Sequence, residues 1–248
     1  MMLKCPSCSA DLIDPAYDAK FNSVSRLRWV PWVGRNYSRA EPGKRIMIVG
    51  ESHYERARGN ESFDARRGKL EKQKEYTREM IWEGVFSGDL KSRTYDMVPI
   101  VMVGDGNYCR NEFWGSVAYY NLIQRMLNYD AMPPERPTRD DFVQGWTVFS
   151  EVAKILLPDC CVFLGSTAHR YYWAAMNSIG ADFIDVKRRE KVGRCWGYRA
   201  GLEVATSEIP LVFIQHPGKY FSPSGWHQYL MRELPSEISD VRNRSVVR

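Results

Sequence analysis

The feature that most constrains this chain is residues 45–54, RIMIVGESHY. Ile46, Met47, Ile48 and Val49 form an apolar run without helical period, and Gly50 interrupts it. This pattern predicts a buried parallel strand ending in a tight loop. In open α/β sheets ligands sit outside the carboxyl ends of the strands. Glu51, Ser52, His53 and Tyr54 would therefore hang over a crevice as the strand lets go. On this stretch alone, a polar surface turn is the simpler reading.

The same strand–loop–helix step recurs downstream. Residues 138–157 predict a helix: Thr138 with Asp141 is a start signal, Phe142, Trp146, Phe149, Ala153 and Leu156 share one face, and Pro158 ends it. Residues 160–164 follow as a second buried strand, broken by Gly165, with Ser166 or Thr167 capping a helix to about residue 179. Residues 211–215, LVFIQ, read as the last strand and deliver His216 at its carboxyl end. Pro217 and Gly218 enforce a turn there, and Ser224 is expected to cap a final helix through about residue 234. Residues 117–122 are ambiguous by period, but their aromatic content favours a strand with Asn121 and Gln124 at its end. These repeats predict an α/β fold on a parallel sheet.

The remainder reads as additions to that domain. Residues 1–40 form an N-terminal arm containing Cys5 and Cys8 in a C-x-x-C pair, half of a zinc knuckle whose second half is missing, so no metal is expected. Within the arm, Trp29, Trp32 and Tyr37 alternate with arginines, a pattern suited either to a nucleic acid backbone or to packing on the core. The domain proper spans residues 41–235, with a charged helical insertion at 55–90 whose apolar stripe is Leu70, Tyr76, Met80 and Ile81. Residues 131–137, AMPPERP, are a loop stiffened by three prolines, and residues 236–248 read as a tail. The chain has 248 residues, a formal net charge of +5 and 13% aromatic residues, a mild bias toward an anionic partner. With no apolar run of membrane-spanning length and no secretory leader in MMLKCPSC, a cytoplasmic monomer is expected.

Three stretches together resemble the uracil-DNA glycosylase superfamily. GESHY at Gly50 stands where its first motif falls, AYYN ending in Asn121 supplies the middle asparagine, and HPG at His216 takes the place of the terminal H-P-S. The resemblance implies a three-layer α/β/α sandwich with a short central parallel sheet. It also implies excision of uracil or another modified pyrimidine from DNA, without a metal or redox cofactor.

On this resemblance Glu51 and His216 are the catalytic pair, Glu51 meeting the cationic sugar and His216 the base oxygen as the glycosidic bond breaks. Gly50, Ser52, Tyr54 and Asn121 would form the base pocket, Tyr54 as its wall and Asn121 pairing with the base edge. Lys219, Tyr220 and Phe221 would enter the minor groove, with Ser222 and Ser224 on phosphates. The chain departs from the family at Ser52, where its strongest enzymes have Asp, at His53, where they have Pro, and at Gly218, which replaces a serine. Members that begin their first motif with Gly-Glu often hold an iron–sulfur cluster through four cysteines. Cys5, Cys8 and Cys109 lack a suitable fourth, so no cluster is expected. Two alternatives stay open: a non-catalytic nucleic-acid-binding module, and a hydrolase acting on free nucleosides.

Overall fold

The structure is a computed structural model that describes residues 12–104, 106–204, 207–218 and 220–246. In chain order its elements are α1 (Asp18–Phe21), β1 (Trp32–Val33), β2 (Ile46–Gly50), β3 (His53–Glu55), α2 (Phe63–Leu70), α3 (Tyr76–Ile81), α4 (Arg93–Val103), α5 (Arg110–Ser116), β4 (Ala118–Asn121) and β5 (Met126–Asn128). They continue as α6 (Arg139–Leu156), β6 (Cys160–Leu164), α7 (Tyr172–Ser178), β7 (Phe183–Val192), β8 (Cys195–Val204), β9 (Ser207–Ile214), α8 (Pro223–Glu233) and α9 (Pro235–Ser245).

Seven strands form one sheet in the order β1-β4-β2-β6-β9-β8-β7, and β3 and β5 form a separate parallel pair. The four middle strands, β4-β2-β6-β9, are mutually parallel. Alternation along β2 divides the core in two, because successive strand side chains point to opposite faces. Met47 and Val49 join Phe142, Trp146 and Phe149 of α6, while Ile46 and Ile48 join Val98 and Met102 of α4 and Trp226 of α8. Helices therefore cover both faces of a mixed, mostly parallel sheet, an arrangement compatible with the three-layer expectation. Among the described residues, no helix is long and apolar enough to cross a membrane.

The start of the sheet is pinned by one ion pair. Asp159 accepts from the Arg45 backbone N–H at 2.8 Å and from its guanidinium at 3.2 Å, while the Asp159 N–H donates to the Arg45 carbonyl. This fixes the register of β2 against β6. Downstream, α6 carries the expected capping box between Thr138 and Asp141 and ends with Leu157 in the left-handed region, just before Pro158.

Several features differ from the sequence reading. The sheet is not wholly parallel: β1 runs antiparallel to β4, and β7 and β8 form an antiparallel hairpin beside β9. The short turn at Gly193 and Arg194 permits only antiparallel neighbours, since a parallel pair needs a long crossover. Of the segment 236–248, read as a tail, the residues up to Ser245 belong to α9, which buries Ile238 and Val241 in the core shared with α4 and α5. Ile238, Val241 and Ser245 recur at helical spacing after Pro235, so one face is apolar enough to dock. The cap of α8 is Ser222 rather than Ser224, its hydroxyl accepting from the Gly225 N–H with Pro223 in the first turn. The arm packs inward, burying Trp29, Trp32, Val33 and Tyr37.

Candidate functional site

Glu51 leaves β2 at the point where the chain's connections diverge. From β2 the chain crosses to β4 on one side of the sheet, and it later returns to β6 on the other. Such a reversal opens a crevice at the carboxyl ends of the strands. The segment after β2 stays locked to its neighbour, with Leu122 N–H donating to the Gly50 carbonyl and Ile123 N–H to the Glu51 carbonyl, at 3.0 and 2.9 Å. Gly165, which follows β6 at φ 125°, is held to β9 by its N–H on the Ile214 carbonyl.

A Cβ placed on Gly165 would lie 3.7 Å from Glu51 Oε2 and 4.0 Å from His216 Cβ. The carboxylate and the histidine, 165 positions apart in sequence, therefore flank one bare glycine at the reversal point. The His216 turn is tight, with Gly218 N–H donating back to the His216 carbonyl at 2.6 Å.

A third group completes the cleft, and the sequence reading missed it. Arg136 donates to the Tyr54 hydroxyl at 3.4 Å, and its charge acts on both Glu51 and His216. Partial burial raises the Glu51 pKa above the ordinary carboxyl value, against the opposing effect of Arg136. His216 is exposed by surface area but hemmed in by the surrounding chain. That crowding, followed by repulsion from Arg136, lowers its pKa, so the ring is neutral near neutral pH. The Arg136 loop is braced by its neighbour: Glu135 accepts from Asn128 N–H at 2.8 Å and from Arg125 at 2.5 Å, and Arg125 also grips both Asp141 oxygens. The signal available in sequence was a lone cation in a proline-stiffened loop.

Asn121 and Gln124 do not reach the crevice. Asn121 is 3% exposed; its Nδ2 donates to His53 Nε2 at 2.9 Å and its Oδ1 accepts from the Tyr119 hydroxyl at 3.3 Å. Gln124 Oε1 accepts from the N–H groups of Arg28 and Trp29, and its Nε2 donates to the Asn121 carbonyl at 2.7 Å. Both carboxamides are buried and hydrogen-bonded within the protein, which withdraws Asn121 from the expected pairing with a ligand edge. Gly50 serves that packing, since a Cβ there would fall 2.0 Å from Asn121 Oδ1.

His53 is turned away as well. In β3 alternate side chains face opposite ways, so Tyr54 meets Arg136 while His53 and Glu55 are buried under the insertion, Glu55 against Arg66 at 2.9 Å. His53 lies edge-on to Trp29 and Tyr76, with ring centroids 5.0 and 4.9 Å away, and Thr77 Oγ1 stands 3.0 Å from the nitrogen that accepts from Asn121. Burial lowers its pKa to about 3. The ring is neutral, with its proton on Nδ1 while Nε2 accepts. Ser52 Oγ, by contrast, is shut off from solvent and has no hydrogen-bond partner among the described residues.

The expected groove-contacting loop divides. Phe221 is buried in the core with α8, so it is no wedge, whereas Tyr220 is 78% exposed at φ 65°. Ser222 is occupied as the helix cap and Ser224 is exposed. Lys219, and the C-x-x-C pair Cys5 and Cys8, lie outside the described residues. Cys109 is a half-buried free thiol. Comparison with known proteins supplies no identification: no family model matches the sequence, and no curated protein matches it.

Proposed function

We propose that this cleft is the active site of a DNA glycosylase that hydrolyses the N-glycosidic bond of a flipped-out uracil or other modified pyrimidine. The observation that supports this reading is the convergence of Glu51 and His216 on Gly165 at the carboxyl ends of β2, β6 and β9. As the C1′–N bond breaks, its electron pair leaves with the base and the sugar becomes cationic. Glu51 as carboxylate stabilises that cation and orients the water whose oxygen bonds C1′, the water's proton passing to the carboxylate or to solvent. Neutral His216 donates a hydrogen bond to the base oxygen where negative charge collects, and the Arg136 guanidinium adds its field to that charge. Tyr54 walls the pocket. With Asn121 committed to His53 and the Ser52 hydroxyl shut off from solvent, Arg136 is the group left to contact the base or its phosphate.

The test is incubation with oligonucleotides carrying a panel of altered bases, then alkaline scission at abasic sites. His216→Ala should lower the rate by about a hundredfold or more, as for loss of one donor to a developing anion. Wild-type protein that leaves every altered base in place refutes the enzyme reading. The withdrawn Asn121 carboxamide favours a second reading, a binding module that keeps the pocket without the chemistry. Glu51→Gln distinguishes the two, because binding survives in both and only an enzyme loses turnover.

A further inference from the structure

The β7–β8 hairpin lies at the edge of the sheet, and none of its side chains takes part in the cleft chemistry. The last β8–β9 pair at the cleft end is Tyr198 with Phe213, yet β7 and β8 remain paired beyond it through Lys191 with Trp196 and Val192 with Cys195. At about 3.3 Å per residue, Cys195 is carried about 10 Å past Tyr198, in the direction in which β9 runs out to its carboxyl end at Ile214. The hairpin tip therefore projects at the same end of the sheet as Glu51 and His216.

It is also braced there. Val192 packs against Gly225 in the first turn of α8, where an added Cβ would lie 2.8 Å from it, and Gly197 lies against the Tyr229 ring. The Tyr229 hydroxyl donates to the Tyr198 carbonyl at 3.2 Å.

The charges divide into two sets. Arg189 and Arg199 pair with Glu233, and Glu190 pairs with Arg232. Arg188, Lys191 and Arg194 are exposed, and none of them forms an ion pair with a carboxylate among the described residues. The Arg188 guanidinium lies over the Trp196 ring, 4.5 Å from its centroid, and that ring is itself partly exposed. Charges that merely protect an edge strand need no partner and no location. These lie in the half of the hairpin that leads to its tip, from Arg188 opposite Tyr198 to Arg194 in the turn, with an aromatic face among them.

We propose that the hairpin tip grips the phosphate backbone of the nucleic acid whose target nucleotide enters the cleft, an inference that rests on the glycosylase reading. Arg188, Lys191 and Arg194 contact phosphates, and Trp196, backed by Arg188, lies against the sugar or a base face.

The test measures equilibrium binding of a short fluorescein-labelled duplex by anisotropy across a salt series, using the full chain. Lys191→Gln with Arg194→Gln should weaken binding at least about tenfold near 50 mM salt and make the logarithmic salt slope shallower by about 1.8, two contacts' worth. The control, Lys44→Gln with Lys154→Gln, removes the same charge at the amino ends of β2 and β6 and should change neither quantity appreciably. Equal behaviour of the two pairs overturns the proposal, as does a wild-type protein that does not bind the duplex. A duplex bound with the expected loss but never acted upon keeps the hairpin assignment and discards the chemistry. Base release with an unchanged slope does the reverse.

Discussion

His53 offers a test in which the size of the effect follows from burial alone. The ring is 6% exposed, wedged between Trp29 and Tyr76, and its pKa is lowered to about 3 against an ordinary value of 6.5. Between those two values the unfolded chain binds a proton at this residue and the folded chain does not, so stability rises with pH. His53 therefore costs nothing above about pH 7.5 and penalises folding progressively as pH falls below 6.5, with the full effect reached near pH 3. At pH 5 the unfolded ring is almost wholly protonated while the folded ring is still neutral. The loss is then about 2 kcal/mol, set almost entirely by the unfolded pKa.

His53→Gln removes the titrating group while keeping an acceptor for the Asn121 amide. Urea unfolding of both proteins at pH 7.5 and pH 5 should show the wild type losing about 2 kcal/mol more than the variant, whatever their absolute stabilities. Glu51, His169 and His216 titrate in both proteins and cancel in the comparison to first order. Matching losses, within about 0.5 kcal/mol, would falsify the assignment of His53 as a neutral buried ring.

Three further outcomes are expected. Glu51 has a raised pKa, so its stabilising protonated form is lost as pH rises. Glu51→Gln should therefore unfold at higher urea than wild type at pH 8, with the gain vanishing at pH 4, and no gain at pH 8 refutes its partial burial. Arg136→Ala removes a cation that holds down both partners, so NMR titration should show the pKa values of Glu51 and His216 rising together, and a shift in only one would place Arg136 outside their shared field. Gly50→Ala drives a methyl to 2.0 Å from Asn121 Oδ1 and 2.4 Å from the Tyr119 hydroxyl; urea unfolding should show a loss of about 1–3 kcal/mol, and an unchanged midpoint would mean the site has room.

The fold was legible where a segment's own pattern decides its structure. Strand β6 spans Cys160–Leu164 as read because it is buried at every position, and α6 begins and ends where its capping box and Pro158 dictate. The hairpin escaped because KRREK places charge on most positions of β7, the composition of a solvated loop. What makes it a strand is pairing with β8 and, through β8, with β9, which is a tertiary fact. The arm and α9 were underrated for a related reason: Trp29 and Ile238 become core only because other elements leave room for them.

The site shows a stricter limit. The sequence places Glu51, Ser52, His53 and Tyr54 side by side, but strand geometry sends Tyr54 toward Arg136 and His53 to the interior, and only the tertiary packing of the β3–β5 pair fixes which is which. Asn121 follows from that choice. Once His53 faces inward, its lone pair needs a donor from the protein, and the Asn121 amide stands 2.9 Å away with the Thr77 hydroxyl at 3.0 Å. Buried at 3% exposure and bonded on both sides, to His53 and to the Tyr119 hydroxyl, the carboxamide is held there and withdrawn from any ligand. The polar groups that remain at the strand ends are then Glu51, Tyr54, Arg136 and His216, drawn from the segment after β2, from β3, from a proline-braced loop and from the turn after β9. On the glycosylase reading proposed above, recognition of a base would run through that set, with Arg136 rather than a carboxamide as its principal donor.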